Sequence, residues 1–132
     1  MEPVEAARRW AAVWQQEWPA RNLEGILALY HAEVAYFSEP FREPFRGIGE
    51  LRDYLGAAFA EEEGLEGWFG TPLVTGQRAS VEWWASLVEA GVETTIVGTS
   101  NLRFDEAGLV VEQRDTWNQR DGRRPPFEGW GR

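Results

Sequence analysis

Apolar side chains recur at Val4, Ala7, Ala11, Trp14 and Trp18, the three-and-four spacing of a helix that buries one stripe. Pro3 suits the first turn of that helix and Pro19 ends it, so the helix is predicted over residues 3–18. Trp10 and Val13 widen the stripe, as a helix lying across a broad concave surface requires. Asn22 is placed to cap a second helix with Leu23, Ile26, Leu27 and Tyr30 on one face, weakened slightly by Gly25. Residues 34–37 read as a short strand, and two prolines stiffen the polar loop Ser-Glu-Pro-Phe-Arg-Glu-Pro-Phe that follows. A third helix begins after Arg46-Gly47 and turns Ile48, Leu51, Tyr54, Leu55, Ala58 and Phe59 inward. The run Glu61-Glu62-Glu63 sits at the negative end of its dipole and is expected to fray into solvent.

From Trp68 onward the pattern changes to β. Strands are predicted over 68–75, 78–88, 92–104 and 109–119, separated by short Gly-containing turns, and consecutive strands with short turns make an antiparallel meander. The fold class is therefore α+β, with helices covering one face of a strongly curved sheet. Residues 1–119 form a single domain, and residues 120–132 are a separate tail rich in Arg, Gly and Pro. Phe127 and Trp130 are out of place in a disordered tail, so the tail is expected to dock on the body or on a second subunit.

Length and composition narrow the chemistry. At 132 residues the chain is one domain. A net charge of −9 argues against nucleic acid or an anionic membrane as partner, since both need a basic surface. There is no cysteine and all thirteen basic residues are arginine, which excludes disulfides, thiol catalysis and a lysine Schiff base. His31 is the single histidine, so a multi-histidine metal centre is excluded; at a predicted helix end its imidazolium would favour the negative pole of the dipole. The N-terminal stretch shows neither a basic leader nor an apolar run, and no run approaches the ~20 residues needed to cross a bilayer, so a cytoplasmic protein is expected.

Candidate chemistry centres on the last strand, Gly-Leu-Val-Val-Glu-Gln-Arg-Asp-Thr-Trp, because it carries Asp115 where strands disfavour aspartate. Alternation puts Val111, Gln113, Asp115 and Trp117 on one face. A carboxyl in an apolar cavity has its pKa raised by desolvation and exchanges protons near neutrality, which would make Asp115 a general acid or base. The alternative is a structural ion pair with Arg103 or Arg114. Glu82 is the second candidate, in Val81-Glu82-Trp83-Trp84-Ala85. Parity places Glu82 and Trp84 together, facing either the cavity or the outside; facing in, Glu82 and Asp115 would form an acid/base pair. Tyr36, Trp68, Trp84, Gln113 and Trp117 are the expected lining of a pocket for a small hydrophobic or aromatic molecule. The two carboxylates are too few for a metal site, and no cofactor is expected.

The order of elements, the Tyr30-His31-Ala32-Glu33-Val34 segment, the Pro-Phe-Arg-Glu-Pro-Phe-Arg-Gly segment and the last strand together resemble the nuclear transport factor 2-like superfamily, in its SnoaL-like branch. The resemblance covers about residues 5–118. It implies a cone-shaped α+β barrel with a pocket between helices and curved sheet, commonly a homodimer through the sheet's outer face. Families on this scaffold include polyketide cyclases, ketosteroid isomerases, limonene epoxide hydrolases and dehydratases, besides members without known catalysis. The SnoaL-like cyclase pattern Val-Glu-His-Trp-Asp lays its aspartate on Asp115, its histidine on Gln113 and its tryptophan on Arg114. The resemblance thus implies that Asp115 is the acid/base and that its usual histidine neighbour is replaced.

Overall fold

The computed structural model describes residues Met1–Arg132. Helix α1 (Pro3–Ala20) buries Ala6, Ala7, Trp10, Ala11 and Trp14, the stripe that the spacing predicts. It runs past Pro19 and ends at Arg21, whose left-handed backbone (φ 55°) lets its N–H and that of Asn22 bond back to Trp18 and Glu17 carbonyls. Helix α2 (Leu23–Leu27) starts where expected, with the Asn22 side chain accepting from the Gly25 N–H. It is shorter than predicted. Tyr30 and His31 belong to strand β1 (Tyr30–Phe37) instead of a helix end, and His31 Nδ1 accepts from the Glu33 N–H at 3.0 Å. The cause is tertiary: Tyr30 pairs with Val110, and its hydroxyl is held by buried partners described below.

Strand β2 (Phe45–Arg46), helix α3 (Gly47–Ala60) and strands β3 (Glu62–Phe69), β4 (Leu73–Thr75), β5 (Arg78–Glu89), β6 (Val92–Phe104) and β7 (Val110–Asp121) complete the chain. The sheet order is β2-β1-β7-β6-β5-β3, with β4 also on β5. Only the β1–β7 pair is parallel. The sheet curves around α1 and α3 without closing, since β2 and β3 end its two sides unpaired with each other. The core packs Trp10 and Trp14 of α1 and Leu51, Leu55 and Phe59 of α3 against Val81, Trp83, Leu102, Phe104 and Val110 of the sheet. No helix is long and apolar enough to cross a membrane.

Three local departures decide which side chains face the core. On β7, register passes from Arg103↔Glu112 to Phe104↔Val110, so one residue on β7 is extra. That bulge turns Val110 inward (1% exposed) and leaves Val111 half-exposed, although simple alternation had placed Val111 with Gln113. On β3, the glutamate run does not fray: Glu62 pairs with Glu89 and is buried. At the C-terminus, β7 runs to Asp121 and Gly122 (φ 94°) reverses the chain over the sheet's outer face. There the Trp84 indole N–H donates to the Arg124 carbonyl at 2.6 Å, and Phe127 and Trp130 stand edge-on to the Trp84 ring at 6.3 and 5.9 Å. The tail therefore packs on its own body.

Gly98 is a strand position with no room for a side chain. A Cβ there would lie 2.5 Å from the Thr116 carbonyl oxygen and 2.7 Å from the Trp83 ring. Gly98→Ala is expected to destabilise the chain by about 2–3 kcal/mol, as overpacking against backbone does. Urea denaturation reads this as a lower midpoint at unchanged slope; a midpoint equal to the wild type would contradict the crowding.

Candidate functional site

The concave side of the sheet and helices α1 and α3 flank a half-open cavity of about 280 Å³. Its walls are rings: Trp10, Trp14 and Trp18 from successive turns of α1, Phe59 and Tyr54 from α3, and Phe69, Trp83 and Trp117 from the sheet. The i, i+4 spacing of the three tryptophans sets them along one helix face, tilted and edge-to-face with centroids 6.1 and 5.5 Å apart.

Asp115 opens into this cavity and is only 7% exposed. Three donors hold its carboxyl: Ser100 Oγ at 2.6 Å and Gln113 Nε2 at 3.0 Å on Oδ1, and the Tyr36 hydroxyl at 3.1 Å on Oδ2. Burial pushes its pKa up to about 6, against the lowering effect of the Ser100, Gln113 and Tyr36 hydrogen bonds. Behind it lies a second layer. Gln113 Oε1 accepts from the Tyr30 hydroxyl at 2.6 Å and the Trp10 indole at 3.2 Å, while Trp14 donates to the Tyr30 oxygen at 3.0 Å. The Trp83 indole donates to Ser100 Oγ at 3.0 Å. Burial, then the Asp115 charge, push the Tyr36 hydroxyl well above its ordinary range, so it stays protonated and acts as a donor.

No guanidinium reaches Asp115. Arg114 lies on the opposite face and pairs with Glu112 at 3.2 Å, and Arg103 is exposed. The ion-pair alternative therefore does not describe this carboxylate.

Of the other expected site residues, Tyr36, Gln113 and Trp117 line the same cavity, and Trp117 is fixed by its indole bond to the Ser38 carbonyl at 2.7 Å. Glu82, Trp84 and Trp68 do not. The inward face of β5 is the apolar one, Val81, Trp83, Ala85 and Leu87, so Glu82 points outward and is exposed, and Trp84 lies under the tail. Trp68 sits opposite Trp84 in the β3–β5 ladder and shares its outer face, while Phe69, opposite Trp83, takes the inner one. The acid/base pair of Glu82 with Asp115 is thereby ruled out.

The sequence did not point to several polar groups of the cavity, Ser38, Glu62, Glu89, Ser100 and Gln119. Ser100 carried a legible signal: it alternates inward with Leu102 on β6 and falls opposite Asp115. Glu62 carried none, because its glutamate run read as a solvated helix end. Glu62 lines the cavity near Glu89, is 9% exposed, and accepts from the Trp18 indole at 2.9 Å. Burial lifts its pKa to about 7; the Trp18 bond opposes this, Glu89 adds to it and Arg21 opposes it. No group of three or more histidine, cysteine, aspartate or glutamate side chains is arranged to hold a metal ion.

Comparison with known proteins agrees with this fold. The profile of the SnoaL-like domain matches residues 7–113. No curated protein matches the chain in sequence. Among solved structures, the protein RV0760c of Mycobacterium tuberculosis superposes with a TM-score of 0.76 at 17% identity, covering 89% of this chain and 96% of that one. The Delta 5-3-ketosteroid isomerase of a Mycobacterium species gives 0.74 at 18% identity, covering 92% and 100%. SalBIII, an epoxide hydrolase/cyclase-like enzyme of pyran ring formation in salinomycin, gives 0.74 at 11% identity, covering 87% and 94%.

Proposed function

We propose, from the premise that this chain belongs to the SnoaL-like domain family, that it is a cofactor-free isomerase, lyase or hydrolase of a small hydrophobic molecule, with Asp115 as its acid/base. One observation carries this reading: a buried carboxyl that opens into a ring-walled cavity and is held there by three neutral donors. Its pKa near 6 makes both protonation states accessible close to neutral pH. A carboxylate oxygen has two lone pairs. Oδ1 accepts two hydrogen bonds and is full, whereas Oδ2 accepts one, so Oδ2 is the oxygen left to exchange a proton with a ligand.

As a base, Oδ2 takes a proton from a carbon acid, and the electron pair left on carbon delocalises into the substrate; the same oxygen then returns the proton at another atom or sees a leaving group depart. As an acid, the protonated carboxyl delivers its proton to a leaving or ring oxygen. The wall of rings holds an apolar substrate beside this oxygen, and in the hydrolase case a water enters with it as the second reactant. Ser100, Gln113 and Tyr36 keep the carboxyl in one orientation through the cycle.

The pH–rate profile of a substrate found by screening ketones, epoxides and alcohols tests the assignment. A base role gives a limb rising through about pH 6, and an acid role one falling through it. Asp115→Asn should remove the limb together with about 10²–10⁴ of the rate; unchanged turnover would reject it. A second reading, non-catalytic binding, draws support from Gln113, which stands in the cyclase histidine position and whose amide is occupied by Tyr30, Trp10 and Asp115. On that reading Asp115→Asn leaves ligand affinity unaltered and no substrate turns over.

We also propose a homodimer. The tail covers the outer face around Trp84, so the pairing would use the neighbouring face of β6 and β7, with Val97, Thr99, Thr116 and Asn118. A single 15.1 kDa species in sedimentation at micromolar concentration would remove it.

A further inference from the structure

Glu62 is at the other end of the cavity from Asp115. Along α1, Trp10 bonds the Gln113 that holds Asp115, and Trp18 bonds Glu62. These two anchors are eight residues apart, about 12 Å along the helix. The space between is walled by Trp14, Phe59 and Trp83.

At the Glu62 end the charges are unbalanced. Glu62 and Glu89 are direct partners in the β3–β5 ladder, and both line the cavity. Like charges in that position repel. Neither forms an ion pair, and no arginine or histidine is among the lining residues. Oε1 of Glu62 accepts from Trp18, while Oε2 has no protein donor and faces the cavity's solvent, the one buried side-chain atom left without a partner in the chain being Arg9 Nε. Rings stand beside it, with Trp18 packed edge-on against Trp83 at 6.0 Å and against Phe69 at 6.3 Å. Carboxylates flanked by aromatic rings are the arrangement that attracts an organic cation, through direct charge pairing and through the ring quadrupole.

Resting on the reading of this cavity as a ligand site, we propose that its Glu62 end is a subsite for a protonated amine, so that the ligand is an apolar molecule carrying one ammonium group. The ammonium sits between Glu62 Oε2 and Glu89 beside the Trp18 and Trp83 rings, and the apolar body extends inward toward Asp115. Binding the cation relieves the Glu62–Glu89 repulsion and replaces solvent at Oε2 with a charged donor. Arg21, the one cation acting on Glu62, lowers its pKa least among the contributing groups and does not line the cavity.

Isothermal titration with 4-phenylbutylamine and its neutral counterpart 4-phenylbutan-1-ol tests this on the full chain at pH 8. The amine is expected to bind at least tenfold more tightly. That preference should vanish in Glu62→Gln, whose amide oxygen can still accept from Trp18, and persist in Asp115→Asn, since Asp115 lies at the far end. Independently of any variant, the wild-type preference should shrink as pH falls from 8 to 5.5, because Glu62 takes up its proton near pH 7 while the amine stays charged. Glu89 and Arg21 also act on Glu62, burial keeps the nearby Tyr54 hydroxyl protonated, and Asp115, whose pKa is about 6, is removed from the comparison by running the same pH series on Asp115→Asn. A preference below tenfold, one that survives Glu62→Gln, or one that is constant with pH overturns the amine subsite. If both compounds bind equally, the subsite fails and the cavity reading stands; if neither binds, both fail.

Discussion

Replacing Asp115 by asparagine is expected to raise the melting temperature at pH 8 by up to about 10 °C while the acid/base step is lost. The ionised carboxyl is the unfavourable form in the folded state, because burial outweighs its three hydrogen bonds and moves its pKa from the ordinary 3.8 to about 6. At about 1.4 kcal/mol per pH unit, that displacement is about 3 kcal/mol of stability forfeited when the group ionises. Asparagine imitates the neutral acid: its oxygen accepts from Ser100 and Gln113, and its amide donates to a rotated Tyr36 hydroxyl. For a domain of this size about 3 kcal/mol corresponds to roughly 10 °C.

The pH dependence follows with a sign opposite to that of an ion-paired aspartate. The folded-state pKa lies above the unfolded one, so the stability is fully present below about pH 3.8 and is lost as pH rises to about 6. Glu62 adds a loss of the same sign up to about pH 7. Thermal melts of the wild type from pH 4 to 8 should therefore fall, with Asp115→Asn flattening the lower part. A variant that melts below the wild type at pH 8 would show that Asp115 is held as a structural charge.

Gln113→Leu is expected to destabilise the fold by about 3–5 kcal/mol, although leucine has nearly the same volume and the site is 1% exposed. The loss is polar. Gln113 Oε1 is the acceptor for the Tyr30 hydroxyl proton and shares the Trp10 indole proton with the Tyr30 oxygen, and its amide donates to Asp115. A leucine leaves the Tyr30 proton without an acceptor, weakens the Trp10 bond and takes one donor from a buried carboxylate. Each such orphaned group costs about 1–3 kcal/mol. Urea denaturation at pH 7 measures the difference; a loss below about 1 kcal/mol would mean that the network relaxes onto other partners. In surviving protein the pKa of Asp115 should move higher, since one of the bonds that lowers it is gone.

Much of this architecture was readable from periodicity. The α1 stripe, the Asn22 cap, the inward face of α3 and the β5–β6–β7 meander come from spacing that only one backbone geometry satisfies. Asp115 was readable too, because aspartate is costly in a strand interior and neither a turn nor a cap explains it. Periodicity placed Tyr36, Gln113, Asp115 and Trp117 toward the cavity but left open which face of β3 and β5 turns in. Glu82 and Trp84 alternate as cleanly as Val81 and Trp83, and only the packing of α1 against the Trp83 face decides between them. Val111 was misplaced by one extra residue on β7, and Trp68 by a β3 strand whose register shifts between Glu63 and Glu66.

The sequence by itself determined the element order, the helix stripes and the singular aspartate, since these rest on local spacing and on residue chemistry that no distant contact alters. The tertiary structure alone decided the direction of each strand face, the recruitment of Glu62 from an expected solvated helix end into a buried ladder opposite Glu89, and the folding of the tail onto Trp84. The physical reason is that a strand's two faces are equivalent until a partner covers one of them, and a carboxyl's proton affinity is set by neighbours that are close in space and far apart along the chain.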